Sequence, residues 1–285
     1  MAFIEGNVTQ SVLSWLNSGT LPQPVNHTFI TLIPKKKSPK HVSDFRSISL
    51  CNVLYKLFSK VLANRLKKFL PSIITKHQSV FAKDRLITDN ILVAFETLYC
   101  MKKYSSGSSG YMALKLDMSK AYNRVEWIFL EQLMRKMGFC DRWIDLVMVC
   151  VRTVTYSTIV NGELKGLITP SRGLRQGDPL SPFLFLLCTE GLHRLIKQAV
   201  AKGDITGFAL CKRGPKLTHL YFADDSHLFC RATPIECGKE MNLLSAYEGA
   251  SGQKVNKEKT AIFFSKAVNE ASRQLIKGIL GVREI

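Results

Sequence analysis

The sequence predicts an α+β fold in which helices cover one face of a sheet. Three observations carry this. Strands and helices interleave along the chain, one tight hairpin turns at Asn161-Gly162, and short apolar strands flank the acidic turn Ala223-Asp224-Asp225-Ser226. With 285 residues, 46% of them apolar, the chain can bury one large core or two abutting ones, which excludes wholesale disorder.

The elements follow in order. Residues 28–33 form an apolar strand that Pro34 stops; the basic loop 35–40 and a second strand at 46–50 complete a hairpin with a cationic tip. Over 53–70, apolar residues recur at Leu54, Leu57, Phe58, Val61, Leu62 and Leu66, the helical period, with Asn52 as cap and Pro71 as stop. A second helix spans 89–102. The Gly/Ser-rich stretch 104–110 then reads as a flexible subdomain boundary. Beyond it come a strand at 111–117, helices near 125–137 and 141–151, the Asn161-Gly162 hairpin and a long helix at 180–201. Two strands at 217–222 and 228–230 follow, then a helix opened by the capping box Thr233 to Glu236 with Pro234 at its first position, and a strand at 260–264.

Lys and Arg outnumber Asp and Glu by 40 to 22, a formal charge of +18, so nucleic acid leads as partner over a merely solvated basic surface or a membrane-facing patch. Eight cysteines show no Cys-x-x-Cys pair, and the histidines show no cluster at zinc-ligand spacing. The thiols are expected reduced and in the core. Neither a signal peptide nor a membrane span is legible, which points to a reducing interior, nucleus or cytoplasm, rather than to secretion.

The chemistry lies in carboxylates. Asp224 and Asp225 sit side by side in a turn, where aspartate most often only hydrogen-bonds its own backbone. Asp117, however, ends a strand whose alternation turns Met112, Leu114 and Leu116 to one face and Lys115 and Asp117 to the other. Carboxylates meeting there would repel one another without a cation, and oxygen ligands with open positions suit Mg²⁺. Two such ions about 4 Å apart serve in-line phosphoryl transfer.

The pairing of LDMSKAY (116–122) with YFADD (221–225) resembles the palm of reverse transcriptases, and FADD looks most like the group carried by non-LTR (LINE-like) retrotransposons. Further blocks extend the resemblance: residues 26–46 and 77–90 are similar to the fingers and the segment after them, GLRQGDPLSPFLFLL (173–187) to the loop and helix of the nucleotide pocket, and SGQKVNKEKT (251–260) to the late palm motif. The resemblance implies right-hand polymerase fingers and palm, the palm an antiparallel sheet with helices packed on one face, and a thumb missing or only begun. Residues 1–110 would be lead-in and fingers, 111–265 the catalytic palm, and 266–285 the start of a thumb or a linker.

It also implies roles. Asp117, Asp224 and Asp225 would be catalytic metal ligands for two Mg²⁺ ions, with Mn²⁺ as a possible substitute. Lys35 and Arg46 would hold the triphosphate, Tyr122 would exclude a 2′-hydroxyl, and Gln176 and Gly177 would lie against the nucleotide. Lys259 would give a proton to pyrophosphate, with Lys254 and Lys257 as equivalent candidates nearby. An RNA template, a DNA primer and dNTPs would be the partners, together with further polyprotein domains such as an endonuclease. Two departures stand out: Asn123 follows Tyr122 where an aspartate is usual, and His227 takes an apolar position. The alternative is an inactive relic that only binds nucleic acid. In the polymerase reading, Asp117 lies beside the 224–225 turn, Lys35 and Arg46 face it across a cleft, and Tyr122 and Gln176 line that cleft.

Overall fold

The computed structural model describes residues 2–79, 85–103, 110–211, 214–222 and 225–285. Its first elements are α1 (Ala2–Ser18), α2 (Gln23–Asn26), β1 (His27–Pro34), the 3-10 turn Val42–Asp44, β2 (Phe45–Cys51), α3 (Val53–Ile73) and α4 (Ile87–Lys103). Then follow β3 (Tyr111–Asp117), α5 (Ala121–Arg124), α6 (Trp127–Lys136), α7 (Asp141–Arg152), β4 (Thr155–Val160), β5 (Glu163–Ile168) and α8 (Ser181–Ala201). The last are β6 (Phe208–Ala209), β7 (Lys216–Leu217), β8 (His219–Phe222), β9 (Asp225–Arg231), α9 (Pro234–Ser251), β10 (Ala261–Phe264), α10 (Glu270–Leu280) and β11 (Arg283–Glu284). The chain divides into two compact units, Met1–Phe69 with Tyr122–Leu187 and Leu70–Ala121 with Cys188–Ile285.

The first unit is built on a four-stranded sheet of order β2-β1-β4-β5. β1 and β2 form the expected hairpin, with Thr28 opposite Cys51 and Pro34 opposite Phe45. Its tip is held by Asp44, whose carboxylate accepts the Lys40 and His41 N–H groups at 2.8 and 3.0 Å and pairs with Lys36 at 2.9 Å. The Lys36 bond first, then the two backbone bonds, bring this carboxyl down to about 2. The β4–β5 turn has Asn161 at φ 53° and Gly162 at φ 82°, the left-handed pair that a two-residue hairpin needs. β1 also pairs in parallel with β4, His27 opposite Thr155, a long-range contact that no local pattern announces.

α3 buries Tyr55, Phe58, Leu62 and Leu66, whereas Leu57 is exposed, so the buried stripe is centred on Tyr55 rather than on Leu57. Asn52 does cap the helix, its Oδ1 accepting Leu54 N–H at 2.8 Å. Pro71 does not stop it: α3 continues to Ile73, because a proline in the last turn removes only one bond from a ladder about to end.

The second unit holds a five-stranded sheet of order β11-β10-β3-β9-β8. Alternation puts Met112, Leu114, Leu228, Cys230, His219 and Tyr221 on one face, against which α8 and α9 pack, with Tyr247 Oη of α9 donating to the Cys188 carbonyl of α8 at 3.2 Å. On the other face Ala113, Leu220 and Phe229 pack against Ala94 and Met101 of α4 and Phe208 of β6. Thr233 caps α9 by accepting Glu236 N–H at 3.2 Å, but the reciprocal half of the expected capping box is not made. Glu236 accepts instead from Thr206 N–H at 2.8 Å and Arg231 N–H at 3.2 Å, tying two loops to the helix start.

All eight cysteines are free; Cys51, Cys150, Cys188, Cys230 and Cys237 are buried, whereas Cys140 and Cys211 are exposed and so not core thiols. Among the described residues no helix is long and apolar enough to cross a membrane. The Gly/Ser-rich boundary expected at 104–110 falls, but for Gly110, outside the described residues.

Candidate active site

The apolar alternation that buries Leu114 and Leu116 carries Asp117 to the last position of β3, and Asp225 opens β9 directly opposite it in the antiparallel register. Residues so paired have Cα atoms roughly 4.5–5.5 Å apart and side chains on one face. Both aspartates are half-buried. Phe222 is the β8 partner of Asp225, and Ala223 and Asp224, between them in the chain, lie outside the described residues. Like charges directly opposite on neighbouring strands repel, and a cation held between the two carboxylates would relieve that repulsion. Hard, half-exposed carboxylate oxygens fit a divalent ion such as Mg²⁺.

The strand end is braced by the 251–260 segment. Asp117 N–H donates to Thr260 Oγ1 at 3.3 Å, Asn256 N–H donates to the Asp117 carbonyl at 2.8 Å, and Ser119 N–H reaches the Lys254 carbonyl at 2.8 Å. Buried Gln253 donates from Nε2 to the Ala121 carbonyl at 2.8 Å. Of the three candidate lysines, Lys254 is ion-paired with Glu248 at 2.9 Å, Lys257 lies against Gly281, and Lys259 is exposed. His227 sits on the aspartates' face, edge-on to Phe222 at 5.4 Å and stacked beside Phe229 at 6.4 Å. Burial, helped by Lys115, depresses its pKa to about 4, so at neutral pH it serves as an uncharged ring in an apolar slot.

The other expected residues belong to the first unit. Tyr122 stacks on Phe185 with ring centres 4.9 Å apart, and its carbonyl accepts Leu174 N–H at 2.7 Å. Gln176 returns its carbonyl to Ser49 N–H at 2.9 Å, adding the 173–177 loop to the edge of β2. Gly177 has φ 103°, and a Cβ there would come 3.1 Å from the Ser49 carbonyl, so both backbone and space demand glycine. Gly173, at φ 95°, is pressed as closely against Asn123. A cavity of about 220 Å³ opens here, lined by Ser47, Ser49, Asn123, Tyr156, Arg172 and Gln176 among others. Arg46 is exposed on β2 and by alternation points to the face opposite Ser47 and Ser49. Lys35 is exposed at the hairpin tip, where Nζ donates to the Ser43 carbonyl at 3.0 Å.

The sequence did not disclose Arg175. It is buried beneath the same loop, donating to Asn26 Oδ1 at 2.7 Å, Thr28 Oγ1 at 3.2 Å and the Cys150 carbonyl at 2.8 Å, 3.5 Å from Asp178 and stacked 3.8 Å over the Tyr55 ring. Tyr55 Oη in turn donates to Asp178 Oδ2 at 2.6 Å. Burial acts to lower the guanidinium's pKa, but Tyr55 and Asp178 outweigh it and raise the pKa further. An arginine three residues before an aspartate within an otherwise apolar and glycine-rich block was the available signal. The sequence also showed no histidine cluster at zinc-ligand spacing, yet in the second unit His77, His193 and His219 converge.

Comparison with known proteins identifies the family of the chain. Residues 33–282 match the family model described as reverse transcriptase (RNA-dependent DNA polymerase). An uncharacterized mitochondrial protein of Arabidopsis thaliana is 54% identical over 68 residues, 24% of this chain and 56% of that protein. The transposon TX1 149 kDa protein of Xenopus laevis is 26% identical over 85% of this chain and 18% of its own length. The Pol polyprotein of the R2DM retrotransposable element of Drosophila melanogaster is 29% identical over 74% of this chain and 19% of its own. This chain thus spans about a fifth of those polyproteins. Among solved structures, apo telomerase from Candida tropicalis superposes with a TM-score of 0.57 at 18% identity, over 94% of this chain and 56% of that one, a likeness of fold. The family generally uses divalent metal ions and works on nucleic acid templates. With the family model covering all but the ends of the sequence, and retrotransposon polyproteins among the relatives, the chain belongs to the reverse transcriptase family as a domain of the non-LTR type.

Proposed function

We propose that this chain is an RNA-directed DNA polymerase domain that adds dNTPs to a primer 3′-hydroxyl, with Asp117, Asp224 and Asp225 holding two Mg²⁺ ions, for which Mn²⁺ can substitute. The observation that supports it most is the register pairing of Asp117 with Asp225 in a chain of this family. When bound, the ions would stabilise charge on the attacking and leaving oxygens. The protein's own groups do the rest. Lys35 and Arg46 grip phosphate oxygens, the arginine bidentately. Gln176 and Gly177 form the wall against the nucleotide, with Gly177 letting the loop pack closely on the Ser49 carbonyl of β2.

The Tyr122 ring, fixed by stacking on Phe185, excludes a 2′-hydroxyl by bulk. Lys259 donates the proton to pyrophosphate, since Lys254 is already engaged by Glu248. In this reading residues 1–110 act as fingers, 111–265 as palm and 266–285 as the start of a thumb or a linker, within a longer polyprotein that works in the nucleus or cytoplasm. The +18 charge serves template and primer binding.

Primer extension tests the proposal: the chain, an RNA template with a DNA primer, dNTPs and Mg²⁺ should give template-directed products that stop when Mg²⁺ is chelated. Template binding without any incorporation, in Mg²⁺ or Mn²⁺, would overturn it in favour of a domain that only binds nucleic acid.

A further inference from the structure

We propose that His77, His193 and His219 form a second metal site, distinct from the aspartates, that holds one Zn²⁺ ion and clamps the segment before α4 to α8 and β8. The three side chains come from places far apart in sequence, yet one ring nitrogen of each lies within 4.8 Å of the others. Zinc–nitrogen bonds of about 2.0–2.1 Å place tetrahedral ligand atoms about 3.4 Å apart, so the trio is close to ligating distance as folded. His193 Nδ1 and His219 Nε2 are now hydrogen-bonded at 2.8 Å, and an ion would replace that bond while parting the rings by roughly half an ångström.

Two of the three rings have their other nitrogen engaged, as metal-bound histidines commonly do. His219 Nδ1 meets Thr218 Oγ1 at 2.8 Å and His77 Nδ1 meets Thr75 Oγ1 at 3.0 Å, which orients both rings. The backbone carrying His77 is pinned without any ion. Thr75 N–H donates to Glu190 at 2.7 Å, and the His77 carbonyl accepts from Tyr221 N–H at 3.0 Å and Asn90 Nδ2 at 2.8 Å. The site is therefore preformed. Burial keeps all three imidazoles below their usual pKa, His193 at about 4, so at neutral pH the rings are uncharged, and metal binding needs only that the proton in the His193–His219 bond shift to the other nitrogen of its ring.

Arg194 and Lys197 of α8 act against a cation here, and Glu190 of the same helix, raised to about 7 by burial, offsets them in part. Three imidazoles without a carboxylate select zinc over Mg²⁺, and they leave a fourth position for water.

The test uses the purified chain, stripped of metal, equilibrated with zinc sulfate, desalted and measured for zinc by mass spectrometry, with melting followed in parallel. One zinc per chain and a raised Tm are expected for the wild type, and Co²⁺ in place of zinc should give the visible absorption of a tetrahedral site. H77Q and H193Q, at half-exposed positions that tolerate the change better than buried His219, should lose the bound metal and the Tm shift. D117N should keep both, which separates this site from the aspartate pair. T75V, which removes only an orienting partner, should weaken binding by about tenfold. No retained zinc in the wild type, or equal retention in H77Q and H193Q, would overturn the proposal.

Discussion

The two units hold charge in different ways. In the first, Arg175 is almost wholly enclosed, at 3% side-chain exposure, and every face of its guanidinium is answered by Asn26, Thr28, the Cys150 carbonyl, Asp178 or the Tyr55 ring. In the second, Asp117 and Asp225 are like charges brought face to face at the ends of neighbouring strands. A charge enclosed by partners on every side is scaffold. Two like charges aligned at half-exposed strand ends leave their oxygens open to solvent, where a divalent cation can be held between them.

The largest effect is expected for R175A. It leaves Asp178, at 2% exposure, without its cation, and removing one partner of a buried pair costs about 3–5 kcal/mol. Chemical denaturation should show a loss of that size. A loss below about 1 kcal/mol would mean that Arg175 is dispensable to the scaffold.

Glu240 lies between these two cases. Glu240 on α9 is buried without an arginine, and burial pushes its carboxyl up to about 7, opposed by the thiol hydrogen bond from Cys230 at 3.5 Å and reinforced by Glu236. Between the unfolded value of 4.5 and about 7, the folded chain binds the extra proton, so Glu240's own contribution to stability is fully present below 4.5 and is lost as pH rises through that window. E240Q should be more stable than the wild type at pH 8, on the order of 2 kcal/mol, with the difference vanishing near pH 4. An E240Q curve parallel to the wild type across pH 4 to 8 would show that the carboxyl is not strained.

The smallest effect expected is on the stability of D117N, and its sign matters more than its size. Relieving cross-strand repulsion should stabilise by roughly 0.2–1 kcal/mol in metal-free buffer. A loss of stability would make Asp117 a scaffold residue like Arg175.

Much of this was legible in the sequence where the signal is local. Period-two alternation placed Asp117 at a strand end facing away from Leu114 and Leu116, and Asn161-Gly162 announced its turn, because each depends on neighbours within a few residues. The contacts that the sequence did not disclose are long-range. Arg175 reaches Asn26 across 149 residues, and His193 meets His219 across 26, distances over which no residue pattern repeats. The Glu236 side chain failed its capping box for the same reason, since Thr206 N–H, 30 residues away, competes for it. Motif resemblance supplied roles for Tyr122, Gln176 and Gly177, and the structure adds a physical constraint on them: a stacked ring, a backbone bond to β2 and a left-handed glycine.

The most direct test of the account is nucleotide incorporation per folded molecule by D117N beside the wild type, on an RNA template with Mg²⁺, with the folded fraction of each measured in the same buffer. The expected result is a D117N protein as folded as the wild type whose incorporation falls by at least about a thousandfold, since it loses one of the proposed metal ligands. Incorporation within about tenfold of the wild type would contradict it, because the paired carboxylates would then have no part in the chemistry.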